Sequence, residues 1–111
     1  MLLTSYECKV IDIMLKGSLS ISEITSIKTT HINGFEYTGA GYFVQVKHKC
    51  IPTSRHVIIE PIIYGYGDGY MVGFVCFIEY GKLTIECHSY GEHNPPINFR
   101  DLPLRIEVDD S

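Results

Sequence analysis

The sequence predicts an α+β domain, in which an N-terminal helix and a short second helix pack on an antiparallel, curved sheet of about six strands. Two helix-start patterns lie in the first 30 residues, and most of the remainder alternates apolar and polar residues in short segments. Gly, Pro, Asn or Asp separates these segments, as expected at turns between strands. The 111 residues match the usual length of one domain, so we expect residues 1–111 to share a single core.

Both helices are predicted from their first turns. Thr4 is followed three residues later by Glu7, which is the capping-box pattern, and apolar residues at helical spacing follow it. This pattern predicts a helix from about Ser5 to Lys16. Ser20 and Glu23 repeat the pattern and predict a second, shorter helix.

The remaining segments are predicted to be strands, and consecutive short strands of this kind favour an antiparallel meander. Their approximate ranges are Thr29 to Tyr37, Gly41 to Lys49, Arg55 to Tyr64, Tyr70 to Tyr80, Lys82 to Tyr90 and Leu102 to Val108. The glycine-rich segment Tyr64 to Tyr70 is predicted to be a flexible turn. No GK[ST] pattern follows it, so its resemblance to a phosphate-binding loop is superficial.

A tight turn at Tyr80 and Gly81 predicts the register of a central hairpin, and therefore its two faces. The core face should carry Phe74, Cys76, Ile78, Leu83, Ile85 and Cys87. The opposite face should carry Thr84, Glu86, His88 and Tyr90 beside Val75, Phe77 and Glu79. Two interpretations of this mixed face remain open: it is a contact surface, or a curled sheet buries Val75 and Phe77.

The charge distribution indicates a basic partner. The formal net charge of −4 argues against nucleic acid or an anionic membrane as the partner. Residues 57–111 hold nine acids against three bases, a balance of −6, whereas residues 1–56 hold six bases against four acids. An ordinary solubilising surface would also explain this balance. If the acids bind a partner, the predicted contact residues are Asp68, Glu79, Glu86, His88, Tyr90 and Glu92.

The apolar runs are too short for a membrane span, and no basic segment followed by an apolar one opens the chain. We therefore expect a soluble cytoplasmic protein. Its four cysteines are dispersed without CxxC spacing, which favours buried reduced thiols over a metal site or disulfides. No cofactor and no metal are predicted.

The enzyme alternatives have weak sequence support. Cys50 lies near His48 and His56, but no third orienting group is evident. Cys87 and His88 are adjacent in one strand and should therefore point to opposite faces. A small ribonuclease with two catalytic histidines is also conceivable, although the acidic second half would repel its substrate. We expect no catalytic residue; a small-ligand-binding curved sheet lined by Tyr and Phe is another alternative.

Three segments carry a resemblance to a known group of proteins. They are Thr38-Gly39-Ala40-Gly41-Tyr42-Phe43, Gly73-Phe74-Val75-Cys76-Phe77-Ile78, and Leu83 to Glu92 followed by Pro95 and Pro96. In these segments, which together with the helices cover most of the chain, it resembles small bacterial immunity proteins encoded beside contact-dependent growth-inhibition and other polymorphic toxins. The resemblance implies specific binding that blocks a toxin, such as a nuclease, delivered from a neighbouring cell. It identifies no site residues, because immunity surfaces vary with their toxins.

Overall fold

The computed structural model of the chain describes residues 1–91 and 93–109 and confirms the two helices. Helix α1 (Ser5–Met14) and helix α2 (Ile21–Lys28) both begin with the predicted capping box. In α1 the Thr4 hydroxyl accepts the Glu7 N–H at 3.2 Å, and the Glu7 carboxylate accepts the Thr4 N–H at 2.9 Å. In the described part of the chain, no helix is long and apolar enough to cross a membrane.

The strands form one open, six-stranded antiparallel sheet, as predicted, but their order is not a meander. They are β1 (Ile32–Tyr37), β2 (Gly41–Lys47), β3 (His56–Gly67), β4 (Tyr70–Glu79), β5 (Lys82–Ser89) and β6 (Arg105–Val108). The sheet order is β1-β2-β5-β4-β3-β6. Strands β3, β4 and β5 follow one another through hairpins, and β6 returns beside β3, which is the Greek-key arrangement.

The segment predicted to be a flexible glycine-rich turn is largely strand. Strand β3 continues to Gly67, and only Asp68 and Gly69 form the turn to β4. Both turn residues have positive φ, 50° and 81°, which is characteristic of a type I′ hairpin turn. Asp and Gly suit this conformation best, since Gly lacks a Cβ and the short Asp side chain tolerates it. The glycines do not interrupt the strand, because this segment pairs with β4 on one side and with β6 on the other.

The register predicted for the β4–β5 hairpin is confirmed. Tyr80 and Gly81 form its turn with φ of 55° and 75°. Phe77 pairs with Thr84, Val75 pairs with Glu86, and Cys76 pairs with Ile85. All six side chains predicted for the core face of this hairpin are buried: Phe74, Cys76, Ile78, Leu83, Ile85 and Cys87.

A buried ion pair joins α1 to the C-terminal part of the chain. Glu7 is fully buried, and its carboxylate accepts hydrogen bonds from Arg100 Nε at 2.9 Å and Arg100 Nη2 at 2.8 Å. The Tyr42 hydroxyl of β2 donates to the same carboxylate at 2.6 Å, and the Tyr6 hydroxyl donates to the Arg100 carbonyl at 2.9 Å. Burial opposes the charge of Arg100, but its bonds to Glu7 outweigh burial and raise its pKa.

Truncation on the core face of the hairpin should cost more stability than truncation on the opposite face. Ile85→Ala should lower the free energy of unfolding by about 2 to 5 kcal/mol, because it leaves a cavity in a packed core. Thr84→Ala, one position away on the other face, is the matched control and should cost less than about 1 kcal/mol. Urea denaturation of the two variants measures both values, and equal losses would contradict the assigned faces.

Neutralising Glu7 should be more damaging than its single charge suggests. Glu7→Gln leaves the Arg100 guanidinium buried without a counter-charge, which should cost about 3 to 5 kcal/mol of stability. The double variant Glu7→Gln with Arg100→Met removes the stranded charge and should recover part of that loss. A double-mutant cycle by urea denaturation tests this, and additive losses would show that the pair is not coupled.

Candidate functional site

The sheet face turned away from the helices is the candidate site, and we call it the outer face. Along β2, β4 and β5 the core side chains alternate with side chains that point to this outer face. Phe43, Val75 and Phe77 lie on it and are only partly buried. The sheet is not closed into a barrel, and Val75 and Phe77 are not fully buried. These apolar side chains reach a solvent-facing surface instead.

Three tyrosines form a continuous strip along one side of the outer face. Tyr66 and Tyr64 of β3 have ring centroids 6.4 Å apart, and the Tyr64 ring lies 5.8 Å from that of Tyr90. Tyr90 is in turn 5.0 Å from the His88 ring, edge to face. We call Tyr66, Tyr64 and Tyr90 the tyrosine strip. Tyr90 is 51% exposed, so its ring remains available for contact.

A glycine in β4 makes room for this arrangement. Gly73 lies opposite both Tyr64 and His88 in the sheet. A Cβ at Gly73 would fall 2.5 Å from the Tyr90 hydroxyl oxygen and 2.8 Å from His88 Nε2. The missing side chain therefore lets the Tyr90 and His88 rings approach the strand backbone closely.

His88 and Glu86 connect the tyrosine strip to the acidic part of the outer face. His88 Nδ1 is buried and has no hydrogen-bond partner among the described residues, and it lies 3.6 Å from a Glu86 carboxylate oxygen. Both side chains are about one-third exposed, at 31% and 30%. Partial burial and the neighbouring Tyr64 raise the pKa of Tyr90, so its hydroxyl stays neutral and can donate a hydrogen bond.

A depression of about 380 Å³ opens on the outer face between β1, β2 and β5. We call it the acceptor pocket, and its outer-face lining consists of Gly34, Glu36, Phe43, Gln45 and Thr84. Glu36 pairs with Phe43 across β1 and β2, and Phe43 pairs with Glu86 across β2 and β5. Paired residues point to the same face, so Phe43 lies between Glu36 and Glu86 in the sheet. The backbone of Phe43 is one strand spacing, about 4.8 Å, from the backbone of each of them.

The six predicted contact residues do not form one compact site. The structure brings together Glu86, His88 and Tyr90, as the hairpin register predicted. Asp68 and Glu79 lie beyond the start and at the end of β4, about 30 Å apart at the usual strand rise. Asp68 instead lines a depression of about 260 Å³ with Gly91 and His93, and Glu92 lies outside the described residues.

Several residues of this face were not predicted from the sequence. Tyr64 and Tyr66 were assigned to the end of a strand and a turn, although their spacing by two would place them on one face of a continued strand. Phe43 and Gln45 alternate with the buried Tyr42, Val44 and Val46, which was a usable signal. Glu36 has no such signal, because its position depends on the pairing of β1 with β2.

The cysteine and histidine pairs considered for catalysis have other partners. His48 Nδ1 accepts the backbone N–H of Cys50 at 3.1 Å, and its Nε2 lies 2.8 Å from the Ser26 hydroxyl. The Cys50 thiol points to the Glu23 carbonyl at 3.9 Å, and burial followed by the Glu23 charge raises its pKa. Cys87 is buried in the core, whereas His88 lies on the outer face. In the described ranges, no cluster of His, Cys, Asp and Glu could hold a metal ion.

Comparisons with known proteins assign this chain to no family. It matches no protein-family model, no curated protein and no solved structure. The outer face, with its tyrosine strip and acceptor pocket, therefore has to be interpreted from its own chemistry.

The thiols should differ in reactivity in a way that tracks their burial. Burial raises the pKa of Cys76 to about 12 and also that of Cys87, so in the native protein neither should react with DTNB at mildly alkaline pH. Cys8 and Cys50 are half-buried and should react first, although more slowly than a free thiol because their pKa values are also raised.

Unfolding the protein in concentrated guanidinium chloride should make all four cysteines react and serves as the control. Rapid native reaction of Cys76 or Cys87 would contradict their burial. A Cys50→Ser variant that folds but loses its function would instead favour a thiol enzyme.

Proposed function

We propose that this protein is an immunity protein, which binds a cognate protein toxin in the cytoplasm and neutralises it by covering a basic active-site cleft. The observation that carries the proposal is the outer face, where partly exposed aromatic rings lie beside the carboxylates of Glu36 and Glu86, neither of which forms an ion pair with Lys or Arg among the described residues. The resemblance of the sequence to immunity proteins of contact-dependent growth-inhibition systems supports this partner class.

The arrangement of charge suits a nuclease-type toxin. Glu36 and Glu86 lie on the outer face, and Glu79 and Asp68 lie at the ends of β4. Nuclease clefts are basic because they bind phosphate, so carboxylates on an inhibitor can occupy the positions of the phosphates. Such an inhibitor acts by occlusion and needs no catalytic group.

The shape of the outer face favours a protein over a small ligand. The acceptor pocket is open, and a second depression of about 210 Å³ adjoins it on the other side of Gln45 and Thr84. The Gln45 side-chain amide donates to the Thr84 hydroxyl at 3.0 Å and forms a ridge between the two depressions. Small-ligand sites usually enclose most of the ligand surface, whereas shallow depressions separated by a ridge suit a broad protein contact.

Association with the cognate toxin should depend on the carboxylates. Glu86→Lys and Glu79→Lys should each slow association several-fold, and the wild-type on-rate should fall as salt shortens the Debye length to about 8 Å. At position 68 the appropriate change is Asp68→Asn, because Asn tolerates the positive φ of the turn. Tyr90→Ala should act mainly on the off-rate, since it removes aromatic contact area.

Asp101→Lys is the matched control for these reversals. Asp101 is exposed in the 3-10 helix Phe99–Asp101, whose Phe99 and Arg100 are buried on the helical side of the sheet. It makes the same charge change away from the outer face and should leave the on-rate within about two-fold of wild type. Stopped-flow measurement of all variants decides the matter. An on-rate that none of the outer-face changes alters, or that Asp101→Lys lowers equally, would reject the outer face as the binding surface.

A further inference from the structure

The acceptor pocket has two strong hydrogen-bond acceptors among its lining side chains, the Glu36 carboxylate and the Gln45 amide oxygen. Glu36 lines the pocket, and Glu86, which does not line it, pairs with Phe43 from the opposite side in the sheet and adds a neighbouring carboxylate. Gln45 uses its amide nitrogen to donate to Thr84 at 3.0 Å, and its Oε1 lies 3.7 Å from the position that a Cβ on Gly34 would take. The amide oxygen is thus directed over Gly34. A pocket of this composition complements a group that only donates hydrogen bonds and carries positive charge.

We infer that the acceptor pocket receives an arginine side chain of the partner protein. The inference rests on the proposed function, because it names the chemical group of the partner that the outer face binds. A guanidinium has five N–H donors in one plane and accepts no hydrogen bond, which matches the carboxylates and the Gln45 oxygen.

The ring of Phe43 favours arginine over lysine. Phe43 is partly buried, pairs with Glu36 on one side and Glu86 on the other, and lines the acceptor pocket. A guanidinium can stack on such a ring while its edge donates to neighbouring carboxylates, whereas an ammonium is a compact and strongly hydrated charge. The same chemistry occurs within this chain, where the Arg105 guanidinium lies 5.0 Å from the centroid of the Tyr66 ring.

Gly34 keeps the acceptor pocket open. Strand β1 changes register between Ile32 and Gly34, and Gly34 then pairs with Gln45. A Cβ at Gly34 would make only ordinary van der Waals contact with Gln45, at 3.7 Å, and Gly34 does not have a positive φ. A larger side chain at this position should therefore fit the fold and fill the pocket.

The inference can be tested with N-acetyl-arginine amide and the full chain, by following ¹H–¹⁵N spectra. We expect saturable shifts centred on residues 34–36, 43–45 and 84–86, with a Kd on the order of 1 mM as is usual for so small a ligand. The citrulline analogue has nearly the same shape but no charge, and it should bind at least about ten-fold more weakly. The lysine analogue should also bind more weakly, by about three-fold or more.

Three variants locate the binding. Gly34→Val should abolish the shifts while the thermal unfolding curve shows a folded protein, and Glu36→Gln should weaken binding about five-fold. Phe43→Leu should weaken binding through loss of the ring, whereas Phe77→Leu, on the same face but outside the acceptor pocket, is the matched control and should leave it unchanged.

Three results would overturn the inference: no saturable shift, equal binding of citrulline, or binding that persists in folded Gly34→Val. None of them would affect the toxin-association measurements, because those use the partner protein and outer-face carboxylates rather than free arginine. A toxin that associates through the outer face but whose arginines can all be replaced by lysine without loss of affinity would also reject the arginine while retaining the immunity function.

Discussion

The buried Glu7–Arg100 pair stabilises the helical side of the sheet, whereas the outer face takes no part in it. Withdrawing two charges from water is costly, and here the cost is offset by four hydrogen bonds to one carboxylate, from the Thr4 N–H, the Tyr42 hydroxyl and two Arg100 nitrogens. Because the bonded residues come from the first turn of α1, from β2 and from the 3-10 helix Phe99–Asp101, the pair holds together distant parts of the chain. The helical face of the sheet therefore serves to hold the fold together.

The outer face has no comparable role in stabilising the fold. Its aromatic residues, which include Phe43, Phe77 and Tyr64, do not fill the core. Polar residues at these positions would be equally compatible with a strand. Glycine weakens a strand, so Gly73 destabilises β4. Its missing side chain, however, leaves room for Tyr90 and His88 against the sheet. Side chains that are unnecessary for packing, grouped with carboxylates on one face, are the features that support the proposed binding role.

The elements governed by local sequence could be predicted, and those governed by distant pairing could not. The Thr4–Glu7 and Ser20–Glu23 capping boxes and the Tyr80–Gly81 turn act within a few residues, so both helices and the hairpin register follow from sequence. The Greek-key order and the contact between Glu7 and Arg100, 93 residues apart, depend on the packed fold. Within the site the same limit applies: Glu86 and His88 were predictable from one hairpin, whereas Glu36 joins them only through β1.

The two chemistries of the outer face would serve different stages of binding. In the proposed complex, the carboxylates of Glu79, Glu86 and Asp68, which are spread along the sheet and act at long range, would guide a basic surface toward the outer face and govern the on-rate. The tyrosine strip and Phe43 would act only on contact, and because their rigid rings lose little conformational entropy, they would govern the lifetime of the proposed complex. Since the open sheet presents both on one face, a basic protein cleft can engage them together, and a single contact surface accounts for steering and for retention.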